Sequence, residues 1–93
     1  MQKIREAELK QILKQYAERD ISVEIKGVIS TNIYINELTS IVTPDKIIIA
    51  DEEGIVAPLE IEASMIYKIL YSKKGKAIKL LLDNSQTIRL DLR

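Results

Sequence analysis

Glu60 and Glu62 are the first residues to weigh for chemistry. They stand two apart in Pro58-Leu59-Glu60-Ile61-Glu62, so an extended backbone projects both carboxylates from one face of a strand. Two carboxylates share acid and base work only when their surroundings drive their proton affinities apart. Nothing in the flanking sequence builds a pocket that would do this. Both are instead expected to pair with Lys or Arg across the sheet, the positive charge coming either from the 73–92 hairpin of the same chain or from another copy. A second acidic group, Asp51-Glu52-Glu53 with Asp45, has the oxygen donors for a hard cation. A calcium loop spaces alternating ligands over a longer stretch, and the expected reading here is a solvated hairpin turn without metal. Ser64, Ser40 and Thr39 lack a base to activate them, because the chain has no histidine, and the absence of cysteine removes thiolate chemistry as well. Gly27, Gly54 and Gly75 are too few and too scattered for a phosphate loop. The expectation is a protein that is not an enzyme and carries no cofactor and no small-molecule substrate.

The basic residues Lys73, Lys74, Lys76 and Lys79 are the best sequence candidate for nucleic-acid contact. Lys68 lies just upstream, and Tyr67 and Tyr71 would offer stacking surfaces. Net charge is zero and the pI is about 6.3, whereas strong nonspecific binders usually carry a net basic domain. RNA binding through the 68–79 segment is therefore the alternative. The leading reading is a non-catalytic interaction module that binds itself or a larger protein partner, with Glu60, Glu62, Lys73, Lys74, Lys76 and Lys79 as its interaction residues.

Charge is unevenly spread. Residues 21–66 set Lys26 and Lys46 against eight carboxylates, while residues 67–93 set seven basic side chains against Asp83 and Asp91. Acidic and basic strands that neighbour each other within one sheet would neutralise this locally, and that is the expected arrangement. The other arrangement is a dipolar molecule whose two faces attract between copies.

The elements that must position these residues follow from periodicity. The 93 residues make one domain, 1–93, and 46% hydrophobic against 30% charged residues marks a globular chain. With no Phe or Trp and only four Tyr, its core is aliphatic. Leu9, Ile12, Leu13 and Tyr16 fall at i, i+3, i+4 and i+7, which predicts a helix over 2–18 with one apolar stripe. Its polar face mixes both signs of charge, so it is expected to cover its own sheet rather than a membrane. No apolar run approaches the ~20 residues of a membrane span, no signal peptide is visible, and a cytoplasmic protein is expected.

From Ile21 the period changes to two. Ile21, Val23 and Ile25 alternate with polar residues, Gly27 interrupts, Val28 and Ile29 continue the run, and Ser30-Thr31-Asn32 reads as a turn. Parity slips beyond Ile35, which predicts a bulge or sharp bend near Asn36-Glu37. Thr43-Pro44-Asp45-Lys46 is a turn. Ile47-Ile48-Ile49 does not alternate, so that strand is expected to be covered on both faces. Ile55, Ala57, Leu59 and Ile61 share one side of the next strand, where Pro58 argues for an edge. Ala63-Ser64-Met65 connects tightly to a strand ending at Tyr71, and Lys73-Lys74-Gly75-Lys76 is a hairpin turn. Ile78, Leu80 and Leu82 match Ile88, Leu90 and Leu92 on one face only if the intervening loop is odd or bulged.

A helix followed by bent strands resembles the Sm-like fold, including its bacterial Hfq type, over roughly residues 9–71. The resemblance rests on Ser22-Val23-Glu24-Ile25 after the helix, on Asp45 in its turn, and on Ser64-Met65-Ile66 between two strands. It implies a small barrel. The family's RNA-pocket residues do not carry over: Lys46-Ile47 follow Asp45, Ala63-Ser64-Met65 stands in the second loop, and the Hfq histidine is absent. Other SH3-like barrels would give the same strand pattern. The expected architecture is mainly β: a helix, a small-barrel meander over 21–72 and a C-terminal hairpin over 73–93, with about seven antiparallel strands.

Overall fold

The computed structural model describes residues 1–54 and 58–92. Among them, in chain order, are β1 (Gln2–Lys3), α1 (Glu6–Gln15), β2 (Ile21–Lys26), β3 (Thr31–Ile35), β4 (Leu38–Val42), β5 (Lys46–Asp51), β6 (Leu59–Glu62), a single 3-10 turn (Ala63–Met65), β7 (Ile66–Ser72), β8 (Ala77–Leu82) and β9 (Thr87–Leu92). The mainly-β class with one N-terminal helix and antiparallel pairing matches the expectation. Closure into a barrel does not. The strands form two separate sheets, one ordered β1-β7-β8-β9-β2-β3 and one ordered β4-β5-β6.

The helix is shorter than predicted. Its stripe is as read, with Leu9, Ile12 and Leu13 buried and Tyr16 packed against the core. It begins only after Arg5, whose backbone N–H donates to the Glu8 carboxylate at 3.3 Å, closing one orphan donor of the first turn. Residues 2–4 are extended instead. Gln2 and Lys3 pair with Tyr71 and Leu70, and the Ile4 N–H donates to the Ile69 carbonyl while its side chain enters the core. Ile4 lies at the margin of the helical stripe, and burying it beside β7 outweighs one more helical turn.

Strand β2 is central and pairs with both β3 and β9. Register Ile21↔Ile35 and Val23↔Ile33 turns Ile33 and Ile35 to the core side. The cost of that register is that Val28 and Ile29 fall in the loop, 106% and 79% exposed, rather than extending the strand, and the turn lies over 27–30 rather than 30–32. The predicted bend is present. Glu37 adopts φ 56°, and the chain leaves the six-stranded sheet at Ile35 and starts the three-stranded one at Leu38.

Strand β5 is not covered on both faces. Ile47 and Ile49 are fully buried, but Ile48 is only half-buried, because the helix packs beside β4 and leaves the outer face of the small sheet open. The positions of Ile55 and Ala57 lie outside the described residues. The edge predicted from Pro58 is found, since β6 is an outer strand of its sheet. The β8–β9 loop is odd, as parity requires. The Leu82 N–H donates to the Gln86 carbonyl at 3.0 Å and Ser85 takes φ 69°, a three-residue hairpin loop with its left-handed residue last. One aliphatic cluster then joins α1 (Leu9, Leu13), the small sheet (Leu38, Ile47, Ile49, Ile61) and the large sheet (Val23, Ile78, Leu80, Leu90).

Glu37 holds a left-handed conformation that costs an L-residue ~1–2 kcal/mol. Glu37→Gly should raise Tm by a few degrees, since unfolded-chain entropy returns only ~0.5–1 kcal/mol of that gain. Glu37→Val should lower Tm, because a β-branched residue fits poorly at positive φ. Differential scanning calorimetry of the two variants checks the sign in each case.

Candidate interaction surfaces

Each sheet has one face on the shared core, so its other face points outward. On the small sheet, register places Ile41 opposite Ile48 and Ile48 opposite Glu60, with Glu62 opposite Lys46. Ile41 is 52% exposed. The outer face therefore has an apolar pair, Ile41 and Ile48, bordered by Glu60 and Glu62. The turns that flank it add Asp45 at one end and Glu52 and Glu53 at the other, all exposed. Lys46 is the only basic residue in this sheet, and its Nζ lies 3.0 Å from Glu60 Oε1.

This bears out a basic partner across the sheet for Glu60 and corrects its source, which is Lys46 on the neighbouring strand rather than the 73–92 hairpin. It also corrects the expected charge arrangement. β6 belongs to one sheet and β7–β9 to the other, so the carboxylates of 45–62 do not neighbour the basic strands, and among the described residues only β2, with Glu24 opposite Arg89, brings acid beside them. The carboxylates proposed for a cation are likewise apart. Asp45 and Asp51 flank opposite ends of β5, about 20 Å along extended chain, and Asp51 is buried while Glu52 and Glu53 are exposed. Among the described residues no acidic cluster could hold a metal ion.

The outer face of the large sheet carries the opposite charge. One row across it reads Lys3, Leu70, Lys79, Arg89, Glu24, and the next reads Lys68, Leu81, Thr87, Lys26. Leu70 and Leu81 are half-buried on this face, with Lys3, Lys68 and Lys79 around them. Lys73, Lys74 and Lys76 lie in the β7–β8 turn at the end of the same hairpin. That turn is shaped by Ser72, whose Oγ accepts the Gly75 N–H at 2.9 Å, and a Cβ on Gly75 would stand 2.9 Å from the same oxygen. The acids on this face are already engaged: Arg89 Nε binds Asp91 Oδ1 at 3.0 Å and Lys26 binds Glu24 at 3.4 Å. Among the described residues no carboxylate pairs with Lys3, Lys68, Lys73, Lys74, Lys76 or Lys79.

The two tyrosines separate. A register shift between Ile66 and Lys68 makes Tyr67 the extra residue of a bulge, 62% exposed. Tyr71 is opposite Ile78 and packs against the core, so its ring is on the other side of the sheet from Lys68. Sequence reasoning missed Lys3, Leu70, Leu81, Ile41 and Ile48 as surface-forming residues. Arg89 was legible as an outward position of an alternating strand; the others depend on sheet partners that no local pattern specifies.

The chain is thus a small, mainly β domain of two antiparallel sheets and one helix. Comparison with known proteins finds no match to it among protein-family models, curated proteins or solved structures.

Lys79 and Arg89 are directly opposite on adjacent strands, an arrangement of like charges that destabilises a sheet. Lys79→Glu should therefore stabilise the isolated domain by ~0.2–1 kcal/mol, raising Tm by roughly 1–8 °C. The Lys46–Glu60 pair is well exposed, so Glu60→Gln should change stability by less than ~1 kcal/mol. Thermal melts of dilute protein at low salt, where exposed charges are least screened, check both values.

Proposed function

We propose that the chain is a non-catalytic interaction module that assembles with copies of itself head to tail, the acidic outer face of one copy meeting the basic outer face of the next. The observation that carries this is the matched make-up of the two faces. Each has an apolar pair at its centre, Ile41 and Ile48 on one and Leu70 and Leu81 on the other, and the charges around the two pairs are opposite in sign. An apolar centre with a charged surround is the ordinary anatomy of a protein interface, and opposite potentials steer encounter and register.

Size sets the strength. The small-sheet face spans three strands of about five residues, a footprint of roughly 14 by 17 Å, well below the ~800 Å² per partner of a standard stable interface. A single contact is therefore weak and depends on concentration and salt. The two faces are different surfaces, so repeated contacts are head to tail and do not close a two-fold dimer; they build a ring where the rotation closes and an open chain of subunits where it does not. A larger protein that presents a similar acidic or basic face would dock by the same chemistry. The reading needs no cofactor.

A catalytic reading has little support. Glu60 and Glu62 are exposed on an open sheet face, and Ser64 is exposed beside them without a base. RNA is the second reading, favoured by the unneutralised lysines around Lys79 and by the exposed ring of Tyr67. The inward ring of Tyr71 takes away one of its two stacking surfaces. The Sm-like relationship is supported by the N-terminal helix and the bend at Glu37, while the two separate sheets count against it.

A charge exchange tests the assembly. The double variants Glu60→Lys/Glu62→Lys and Lys68→Glu/Lys79→Glu should each remain monomeric at low salt, because each carries like charge on both faces. Mixed one to one they should associate, since each supplies the face the other lacks. Light scattering after size exclusion reads the outcome; two variants that associate alone, or a mixture that stays monomeric, would count against the proposal. An RNA function predicts instead that only the second variant loses retention of a uridine oligonucleotide and that neither affects self-association.

A further inference from the structure

Among the described residues, strand β4 has an edge that no other strand covers. The Leu38 N–H donates to the Arg19 carbonyl at 2.9 Å, and the Leu38 carbonyl accepts the Glu18 N–H at 2.9 Å, so Leu38 turns its backbone groups away from β5. The Thr43 N–H donates to the Lys46 carbonyl at 2.9 Å, toward β5. Backbone direction alternates along a strand of an antiparallel pair, so Ser40 and Val42 turn their N–H and C=O groups to the same side as Leu38. Among the described residues no backbone bond engages them there.

That side opens into a groove of about 580 Å³. Its floor is Leu38 to Thr43 and its wall is the flank of α1 and the residues after it, Lys10, Lys14, Ala17 and Glu18. Lys10 and Lys14 stand at i and i+4 on one flank of the helix, and Ala17, in the turn after it, continues the line with a small side chain that leaves the space open. The line is roughly 10 Å long and the strand beside it about 13 Å, which is the length of four extended residues. The Glu18–Leu38 bond fixes the relative direction. Glu18 and Glu52 stand at the Leu38 end, where the Glu52 N–H donates to the Glu37 carbonyl, and Lys14 and Lys10 lie toward the Thr43 end.

We infer that this groove binds an extended peptide segment of a partner protein, added as an antiparallel strand to β4, with a carboxylate side chain at its N-terminal end and a basic side chain at its C-terminal end. Ser40 and Val42 supply two donors and two acceptors to the added backbone, which gives affinity without regard to sequence, while the charged ends give direction. Antiparallel addition puts the peptide's N-terminus beside Lys10 and Lys14 and its C-terminus beside Glu18 and Glu52. Short apolar side chains between them would face Ile41 or Val42. The site shares Ile41 and Glu52 with the acidic outer face of the small sheet, but its backbone bonds at Ser40 and Val42 take no part in head-to-tail assembly, so it is tested on monomeric protein.

The test uses the full chain, labelled with nitrogen-15, dilute enough to be monomeric and at low salt, titrated with the peptide Glu-Thr-Val-Thr-Val-Lys. The expected result is a saturable shift of the Ser40 and Val42 amide resonances with slowed hydrogen exchange at both, and at least tenfold weaker binding of the charge-exchanged peptide Lys-Thr-Val-Thr-Val-Glu. Val42→Pro removes the outward N–H, a substitution an edge strand tolerates, together with the Val42 side chain's packing against the core; it should lower Tm by a few degrees, keep a cooperative melt and weaken the first peptide at least tenfold. Equal affinity for both peptides, unchanged affinity in Val42→Pro, or shifts confined to β1, β3 or β6 would overturn the inference. So would protection of Ser40 and Val42 that appears on concentrating the protein alone, since the occupant would then be a second copy.

Discussion

The backbone crossing at Glu37 is the constraint on which the rest of the molecule depends. At that residue the chain turns left-handed and passes from one sheet to the other. The turn is fastened on both sides. The Asp20 carboxylate accepts the Glu37 N–H at 3.2 Å, and Leu38 exchanges two backbone bonds with Glu18 and Arg19. Glu18 is itself left-handed, with φ 66°. The exit from the helix and the crossing between sheets are thus one joint, held by backbone groups that would otherwise be unpaired. Because the chain crosses here, β4–β6 form their own sheet, and the carboxylates of that segment are carried away from the lysines of β7 and β8. Had β6 paired with β7 or β8, the same charges would have neutralised each other across a ladder.

Charge segregation of this kind has an energetic consequence. Lys79 faces Arg89 directly while Arg89 leans along its own strand to Asp91, and half-buried Leu70 and Leu81 keep these cations close to apolar surface. A domain of 93 residues has only a small net stability, ~0.05–0.15 kcal/mol per residue. An arrangement that gives up part of it suits a surface shaped for a partner rather than for the isolated fold. The compensating strength is the interior, where leucine, isoleucine and valine from both sheets and the helix make one cluster.

What could be read from the sequence was local. Alternation marked β2 and β9, Pro44 marked the β4–β5 turn, and the parity slip after Ile35 located the crossing. The equal parity of Ile78–Leu82 and Ile88–Leu92 required the odd loop that Ser85 completes. What could not be read was non-local or too short. Two residues of β1 carry no period, and pairing of β2 with β9 joins distant segments. The run Ile47-Ile48-Ile49 looks the same whether one or both faces are covered. Tyr67 and Tyr71 have the parity of Ile69, which points all three inward; a single extra residue at Tyr67 breaks that pattern and throws one ring outside. The apolar pairs at the centre of each outer face arise from strand neighbours, so no stretch of sequence contains them.

Sedimentation velocity over a concentration series, at low salt and at about 1 M salt where the Debye length is ~3 Å, tests the head-to-tail account most directly. The account predicts a weight-average coefficient that climbs continuously with concentration at low salt, without a plateau at dimer, and that falls to the value of a 10.6 kDa monomer at high salt. A particle that remains monomeric at every concentration and salt, or a dimer indifferent to salt, would contradict it.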